Sequence, residues 1–263
     1  MSSKVVLVTG ANQGLGFETI HVTALRDPSA TYLLGSRNLE SGYDSVKRLK
    51  DLGVKAEIEV LQLDVTNDEQ IEAAVDTVQK KYGKLDVLVN NAGIGFIGRK
   101  PDVTLSDIRN TYNDVFNVNM TSVAVVTTAF LPLLHAAKSP KVINITSGLG
   151  SMTINLKKKI GRSVPYGASK VGLNGLSVHM QIAENDRIER EEAKGKGKSE
   201  GRIRYFVVQP GLLKTAFTGF MPHAKDPKDG AEVVTRLALD DEGVYSGGTY
   251  WEFESGEMRE VPW

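Results

Sequence analysis

Lys4-Val5-Val6-Leu7-Val8 runs into Thr9-Gly10-Ala11-Asn12-Gln13-Gly14-Leu15-Gly16, and a helical pattern opens over Leu15–Arg26. An apolar strand that ends in closely spaced glycines and turns into a helix is a place where backbone can approach a pyrophosphate. Glycine removes the Cβ, and the helix N-terminus offers N–H donors and the positive end of its dipole. The spacing is G-x-x-x-G-x-G, and glycines also serve tight turns without a ligand. What points to a nucleotide is the placement between first strand and first helix. It assigns Gly10, Asn12, Gln13, Gly14, Leu15 and Gly16 to cofactor binding.

The same alternation continues nearly to the end of the chain. Strands are expected at Lys4–Val8, Thr31–Gly35, Ala56–Leu63, Leu85–Asn90, Lys141–Thr146, Ile203–Gln209 and Gly247–Phe253. Helices are expected at Leu15–Arg26, Leu39–Leu52, Asp68–Tyr82, with Asn67 as its cap, and Tyr166–Asn185. Several strands are continuous apolar runs, as in a parallel sheet covered on both faces. The expected fold is α/β: one doubly wound, parallel, seven-stranded sheet with helices on both faces, residues 1–263 forming one domain. Two segments break the rhythm. Met152–Pro165 carries three consecutive lysines, and Asp186–Arg202 is densely charged; both read as solvated loop or helix extension. Gly197-Lys198-Ser199 resembles the end of a phosphate loop, but Glu192 stands where the required glycine should be.

Composition narrows the partners. The 263 residues are 41% hydrophobic and 24% charged, which excludes a disordered chain. Lys+Arg 32 against Asp+Glu 32 leaves no basic excess to attract nucleic acid or an anionic membrane. No cysteine is present, so thiolate nucleophiles, disulfides and Cys-based metal sites are excluded. The four histidines are scattered, and no metal site is expected. The longest apolar stretch, Val123–Leu134, is interrupted by Thr127, Thr128 and Pro132 and falls short of the ~18 residues of a spanning helix. The start Met1-Ser2-Ser3-Lys4 shows no targeting pattern, so a cytoplasmic location is expected and the N-x-T triplets at Asn119 and Asn144 read as coincidence.

Further polar residues fall at strand ends, where open α/β sheets bind ligands. The second strand is followed by Ser36-Arg37, with no acidic side chain to hold ribose hydroxyls. A guanidinium there suits a 2′-phosphate, which favours NADP(H) over NAD. Asp64 and Val65 follow the third strand; Asp64 either accepts from an adenine amino group or caps its own turn. Asn90-Asn91-Ala92-Gly93 ends the fourth. Ser147 follows the fifth and precedes Tyr166-Gly167-Ala168-Ser169-Lys170. Residues four apart share a helix face, so the Lys170 ammonium is expected beside the Tyr166 phenol, where together with an oxidised nicotinamide it favours the phenolate and brings the pKa from near 10 toward the working range. Tyr43 and Lys47 repeat that spacing without a strand-end serine and read as a surface pair.

Taken in order, TGANQGLG, NNAG, Ser147, YGASK and Gln209-Pro210-Gly211 with Thr215 resemble the short-chain dehydrogenase/reductase family over about residues 4–253, and within it the NADPH-dependent carbonyl reductases. The resemblance implies Tyr166 as proton donor, Lys170 binding ribose and tuning Tyr166, Ser147 orienting a carbonyl, and Asn119 holding a water in a relay to Lys170. It implies that Pro210, Gly211, Leu213 and Thr215 hold the nicotinamide end. The implied activity is NADPH-dependent reduction of ketones or aldehydes, with a small-molecule carbonyl as partner. An NAD-dependent alcohol dehydrogenase running oxidatively and a non-catalytic nucleotide sensor are the alternatives. Ser147 and Tyr166 stand further apart than is usual, so part of Met152–Pro165 must bulge near the site. Phe217, Phe220 and Met221 either line an apolar pocket or pack a lid down. Monomer or homo-oligomer stays open.

Overall fold

The computed structural model describes residues 3–95, 103–160, 163–194 and 201–263. Seven parallel strands, β1 (Val5–Val8), β2 (Thr31–Ser36), β3 (Glu57–Gln62), β4 (Val87–Asn90), β5 (Lys141–Ile145), β6 (Arg204–Val208) and β7 (Thr249–Glu254), pair in the order β3-β2-β1-β4-β5-β6-β7. The order reverses between β1 and β4, and that switch point opens a crevice at the carboxyl ends of both strands. The sheet has eight strands where seven were expected. β8 (Glu257–Glu260) folds back antiparallel on β7, Trp251 opposite Glu260.

The apolar strand runs follow from burial on both faces. Val6 and Val8 of β1 point into a core built with Phe17, Ile20 and Leu237, while Val5 and Leu7 point into another with Val126, Phe130 and Leu133. Helices α1 (Gly14–Arg26), α2 (Leu39–Asp51) and α8 (Pro227–Ala238) cover the first face. On the second lie α3 (Asp68–Tyr82), α5 (Ser122–His135) and α7 (Val164–Ala193). Asn67 caps α3 as its side chain accepts from the Gln70 N–H at 2.9 Å.

Three segments depart from the sequence reading. α4 (Leu105–Phe116) runs through a π-helical turn, Asn117–Thr121, into α5. The resulting 31-residue helix is long and apolar enough to cross a membrane by length and composition. Its Val123, Val126, Phe130 and Leu133 are nevertheless buried against the sheet, which makes it a core helix. α7 extends past Asn185 to Ala193 and absorbs the first half of the charged segment; Gly197-Lys198-Ser199 lies outside the described residues. Met152–Pro165 begins as a short helix, α6 (Met152–Lys158), which ends at Lys159 in the left-handed conformation.

Candidate active site

The glycine turn has the shape a phosphate needs. Gly10 and Gly14 adopt φ of 62° and 58°, where a side chain would strain the backbone. A Cβ on Gly16 would lie 2.5 Å from Asn91 Nδ2 and 2.8 Å from both the Ala11 Cα and the Gly10 carbonyl oxygen. No side chain caps α1, whereas Asn38, Asn67, Thr104 and Asp226 cap α2, α3, α4 and α8. The first-turn N–H groups of α1 are therefore left to a ligand. Gly14 faces Thr215 across the crevice, its Cβ position 3.6 Å from the threonine methyl. Gly10, Gly14 and the uncapped start of α1 fit the phosphates of a dinucleotide.

Several assigned cofactor residues hold the crevice rather than line it. The Asn91 amide donates to the carbonyls of Thr9 (2.8 Å) and Gly10 (3.1 Å). Thr9 Oγ1 accepts from the backbone N–H groups of Asn91 and Ala92, both at 3.0 Å. Asn90 is buried and donates to Thr127 and Asn144, tying β4 to α5 and β5. Ser36 is fully buried and gives its hydroxyl to the Asn38 carbonyl at 2.7 Å. Asn12 donates to Ser41 Oγ at 2.9 Å, securing the turn to α2. Val65 and Ala92 line the crevice between β1 and β4.

Arg37 stands exposed just beyond β2. Asp64 caps its own turn at one oxygen, one of its two expected roles: Oδ1 accepts from the Thr66 hydroxyl and N–H. Those bonds, with the Arg37 charge nearby, hold its carboxyl below the usual range. Tyr43, 61% exposed on α2, is a surface residue, as read from the sequence.

Tyr166, Lys170, Ser147 and Asn119 come together at the carboxyl ends of β4 and β5. Tyr166 and Lys170 share one face of α7, and Lys170 Nζ lies 5.6 Å from the phenol ring centre. Ser147 follows β5, and its hydroxyl accepts from the Leu149 N–H at 3.2 Å. Burial pushes the Tyr166 phenol up to about 12, with a hydrogen bond to Ser147 pulling the other way. Burial brings Lys170, whose Nζ donates to the Ile145 carbonyl at 2.8 Å, down to about 8. In the protein alone, burial of both groups leaves the phenol above its ordinary range despite the neighbouring ammonium.

Asn119 is fully buried in the π-helical turn. Its amide donates to the Ile94 carbonyl and Ser169 Oγ at 2.9 and 3.0 Å, and its Oδ1 accepts from the Ile94 N–H at 2.9 Å. Gly93 lets Asn119 and Lys170 approach, since a Cβ there would sit 3.2 Å from Asn119 Oδ1 and 3.8 Å from Lys170 Nζ. Across the crevice, Leu213 is buried and pairs with Lys225 in an isolated bridge, and Gly211 adopts φ of 86° after Pro210. Phe217 sets its ring 5.6 Å from that of Tyr166 and, like Phe220 and Met221, is itself exposed. The 152–165 insertion does flank the site. Ile154, Lys158 and Ile160 wall a cavity of ≈ 220 Å³ whose other sides include Gly148, Gln209 and Glu252.

Two functional positions escaped the sequence reading. Thr9 was quoted only as part of the turn, although its hydroxyl organises the Asn91-Ala92 backbone. Tyr250 donates its hydroxyl to the Ser147 carbonyl at 2.7 Å from 103 residues away, a separation that leaves no local signal.

Residues 4–226 match the family model described as short chain dehydrogenase. This chain is a short-chain dehydrogenase/reductase. A short-chain dehydrogenase/reductase of Aspergillus fumigatus is 54% identical over 263 residues, covering 100% of this chain and 98% of that protein. One from Penicillium roqueforti is 33% identical over 91% of this chain and 90% of its own length. Among solved structures, the NADPH-bound carbonyl reductase from chicken fatty liver superposes with a TM-score of 0.77 at 21% identity, both chains covered in full. Salutaridine reductase from Papaver somniferum gives 0.72 at 22%, over 94% of this chain and 99% of that one. These last two likenesses are of fold. Family membership makes the chain an oxidoreductase that acts on alcohol or carbonyl groups with a nicotinamide cofactor.

Proposed function

We propose that this short-chain dehydrogenase/reductase reduces ketones or aldehydes to alcohols with NADPH. One observation carries the reading: a phenol held protonated, Tyr166, stands at the cleft between Ser147 and Lys170, beneath the Phe217 ring. The phenol is protonated at neutral pH, as a group that gives a proton to a carbonyl oxygen must be at the start of the step. When bound, the nicotinamide cofactor supplies the hydride. Tyr166 gives its proton to the carbonyl oxygen, and the Ser147 hydroxyl polarises and orients that oxygen. Lys170, buried beneath the ring, brings positive charge to the developing phenolate. Because the Asn119 amide is committed to Ile94 and Ser169, a relay water at this position would be held by the main chain of the π-helical turn.

For NADPH over NADH, support comes from Arg37 just past β2 and from the absence of a free acidic side chain at that strand end. The solved carbonyl reductase that shares the fold is NADPH-bound. Phe217 over the phenol favours uncharged, moderately apolar substrates on that side. The test is NADPH oxidation against a panel of carbonyl compounds, with Tyr166→Phe alongside. The variant should lose at least about 10²-fold in kcat while binding NADPH almost normally. A variant that keeps turnover refutes the reading.

A further inference from the structure

The chain between Ser147 and α6 is fastened from behind by the far end of the sequence. Tyr250 of β7 is fully buried, and its hydroxyl and the Gly150 N–H both donate to the Ser147 carbonyl, each at 2.7 Å. Ser151, also fully buried, donates its hydroxyl to the Pro262 carbonyl at 2.6 Å. The Thr153 N–H donates to the Trp263 carbonyl at 3.1 Å. The Trp263 ring lies 5.5 Å from that of Tyr250, and the Val261 N–H donates to the Tyr250 carbonyl at 2.7 Å. α6 buries no residue fully, and its Ile154 packs on Val207, Tyr250 and Val261. On its other side the segment is held by α7, where the Asn174 amide donates to the Gly150 carbonyl at 3.0 Å, and by the Asn155 amide, which donates to the Leu149 carbonyl at 2.7 Å; it carries the catalytic hydroxyl at one end and a wall of the ≈ 220 Å³ cavity at the other.

We infer that Tyr250 and the strap Val261–Trp263 are positioning residues for Ser147: they fix the Ser147 backbone so that its hydroxyl meets Tyr166 and the substrate oxygen. The inference rests on the catalytic roles proposed above for Ser147 and Tyr166. Freed from Tyr250, the Ser147 peptide can rotate, and a misdirected hydroxyl is felt in the chemical step before it is felt in cofactor binding.

The full chain with Tyr250→Phe, Trp263→Ala, Trp263→Phe and Ser151→Ala tests this. Tyr250→Phe should lower kcat about tenfold, the scale of one lost hydrogen bond in the transition state. NADPH affinity, read by cofactor fluorescence, should stay within about twofold. Trp263→Ala should act in the same direction, and Trp263→Phe, which keeps a ring against Tyr250, should restore kcat. The alkaline limb of the rate profile should move up as Tyr166 loses the bond that holds its pKa down. An unchanged kcat in folded Tyr250→Phe, or equal falls in kcat and NADPH affinity, overturns the inference. Should Tyr250→Phe fail to fold, Trp263→Ala and Ser151→Ala decide it by the same readouts. Hydrogen exchange at 147–153 gives an answer without turnover: protection should drop in Trp263→Ala, and unchanged protection sinks the strap. A wild-type chain that reduces no carbonyl defeats the proposed function, whereas an active wild type with unaffected variants defeats only the strap.

Discussion

Replacing Lys170 by methionine should remove activity and make the protein more stable. The ammonium is 5% exposed, and burial lowers its pKa from 10.5 to about 8. At about 1.36 kcal/mol per pH unit, the folded state bears about 3 kcal/mol at neutral pH for keeping that charge out of water. Methionine fills a similar volume without a charge, but it deprives the Ile145 carbonyl of its 2.8 Å donor, a loss of about 1 kcal/mol. The net gain is about 2 kcal/mol, or roughly 4–8 °C in Tm for a chain of this size. The sign follows from linkage. Between about 8 and 10.5 the folded wild type has released a proton that the unfolded chain still holds, so wild-type stability rises with pH across that window. The methionine variant lacks this rise. Its advantage should be full at pH 7 and nearly gone by pH 10. Urea denaturation of both proteins at these two pH values measures it. A variant no more stable than wild type at pH 7, or one whose gain is the same at pH 10, refutes the desolvation argument.

Gly16→Ala places a methyl 2.8 Å from backbone at Ala11 and Gly10, so it should cost about 2 kcal/mol or more and weaken NADPH binding, read by urea melts and cofactor fluorescence. Arg37→Asp should raise the KM for NADPH at least tenfold while leaving that for NADH within about twofold; equal changes for both cofactors would remove Arg37 from 2′-phosphate recognition. Burial pushes Glu184 up, but bonds from Arg187, His135 and the Ile203 N–H dominate and hold it at about 2. Its depressed pKa means that the stability it contributes is present above about 4.5 and is lost as pH falls toward 2. Glu184→Gln should therefore cost about 2 kcal/mol at pH 7, with the gap to wild type closing in acid melts.

The inner strands were the most legible because burial on both faces favours apolar residues there, as in Val5–Val8 and Val87–Val89, whereas β3 and β7 are only partly buried and carry glutamates. β8 was not: Glu257-Met258-Arg259-Glu260 is an exposed edge strand with little apolar content, and its pairing with β7 is set by the turn at Ser255-Gly256. α4 carried a signal that was passed over, the Thr104 capping box with Asp107. At the site, Ser147, Tyr166 and Lys170 were legible as a set because their order along strand ends and one helix face limits where they can go. The polar residues Asn90, Asn91 and Ser36 were assigned to the ligand, yet their side chains turn to the protein. A strand-end amide has the same sequence signature whether it faces a cofactor or a neighbouring carbonyl; only the distance to Thr9, Gly10 or Asn144 separates the two. Spacing reveals the charge beside the phenol but not the loss of water around it, which raises the phenol in the protein alone.

The two Asn90-Asn91-Ala92-Gly93 and Thr9–Gly16 segments make sense only as one unit. Ala92 occupies the space a Cβ on Gly10 would need, at 3.0 Å, and Asn91 occupies that of Gly16. Asn91 donates twice to Thr9 between β4 and β1, from its backbone N–H to the hydroxyl oxygen and from its side-chain amide to the carbonyl. A loop of three glycines in isolation would sample many conformations and lose that freedom on binding a dinucleotide. Here the freedom is already removed by the neighbouring strand end, and affinity need not be spent on ordering the loop. On the proposed function, Asn91 would act on the cofactor through the shape of the glycine turn, since its amide donates to the Thr9 and Gly10 carbonyls of that turn.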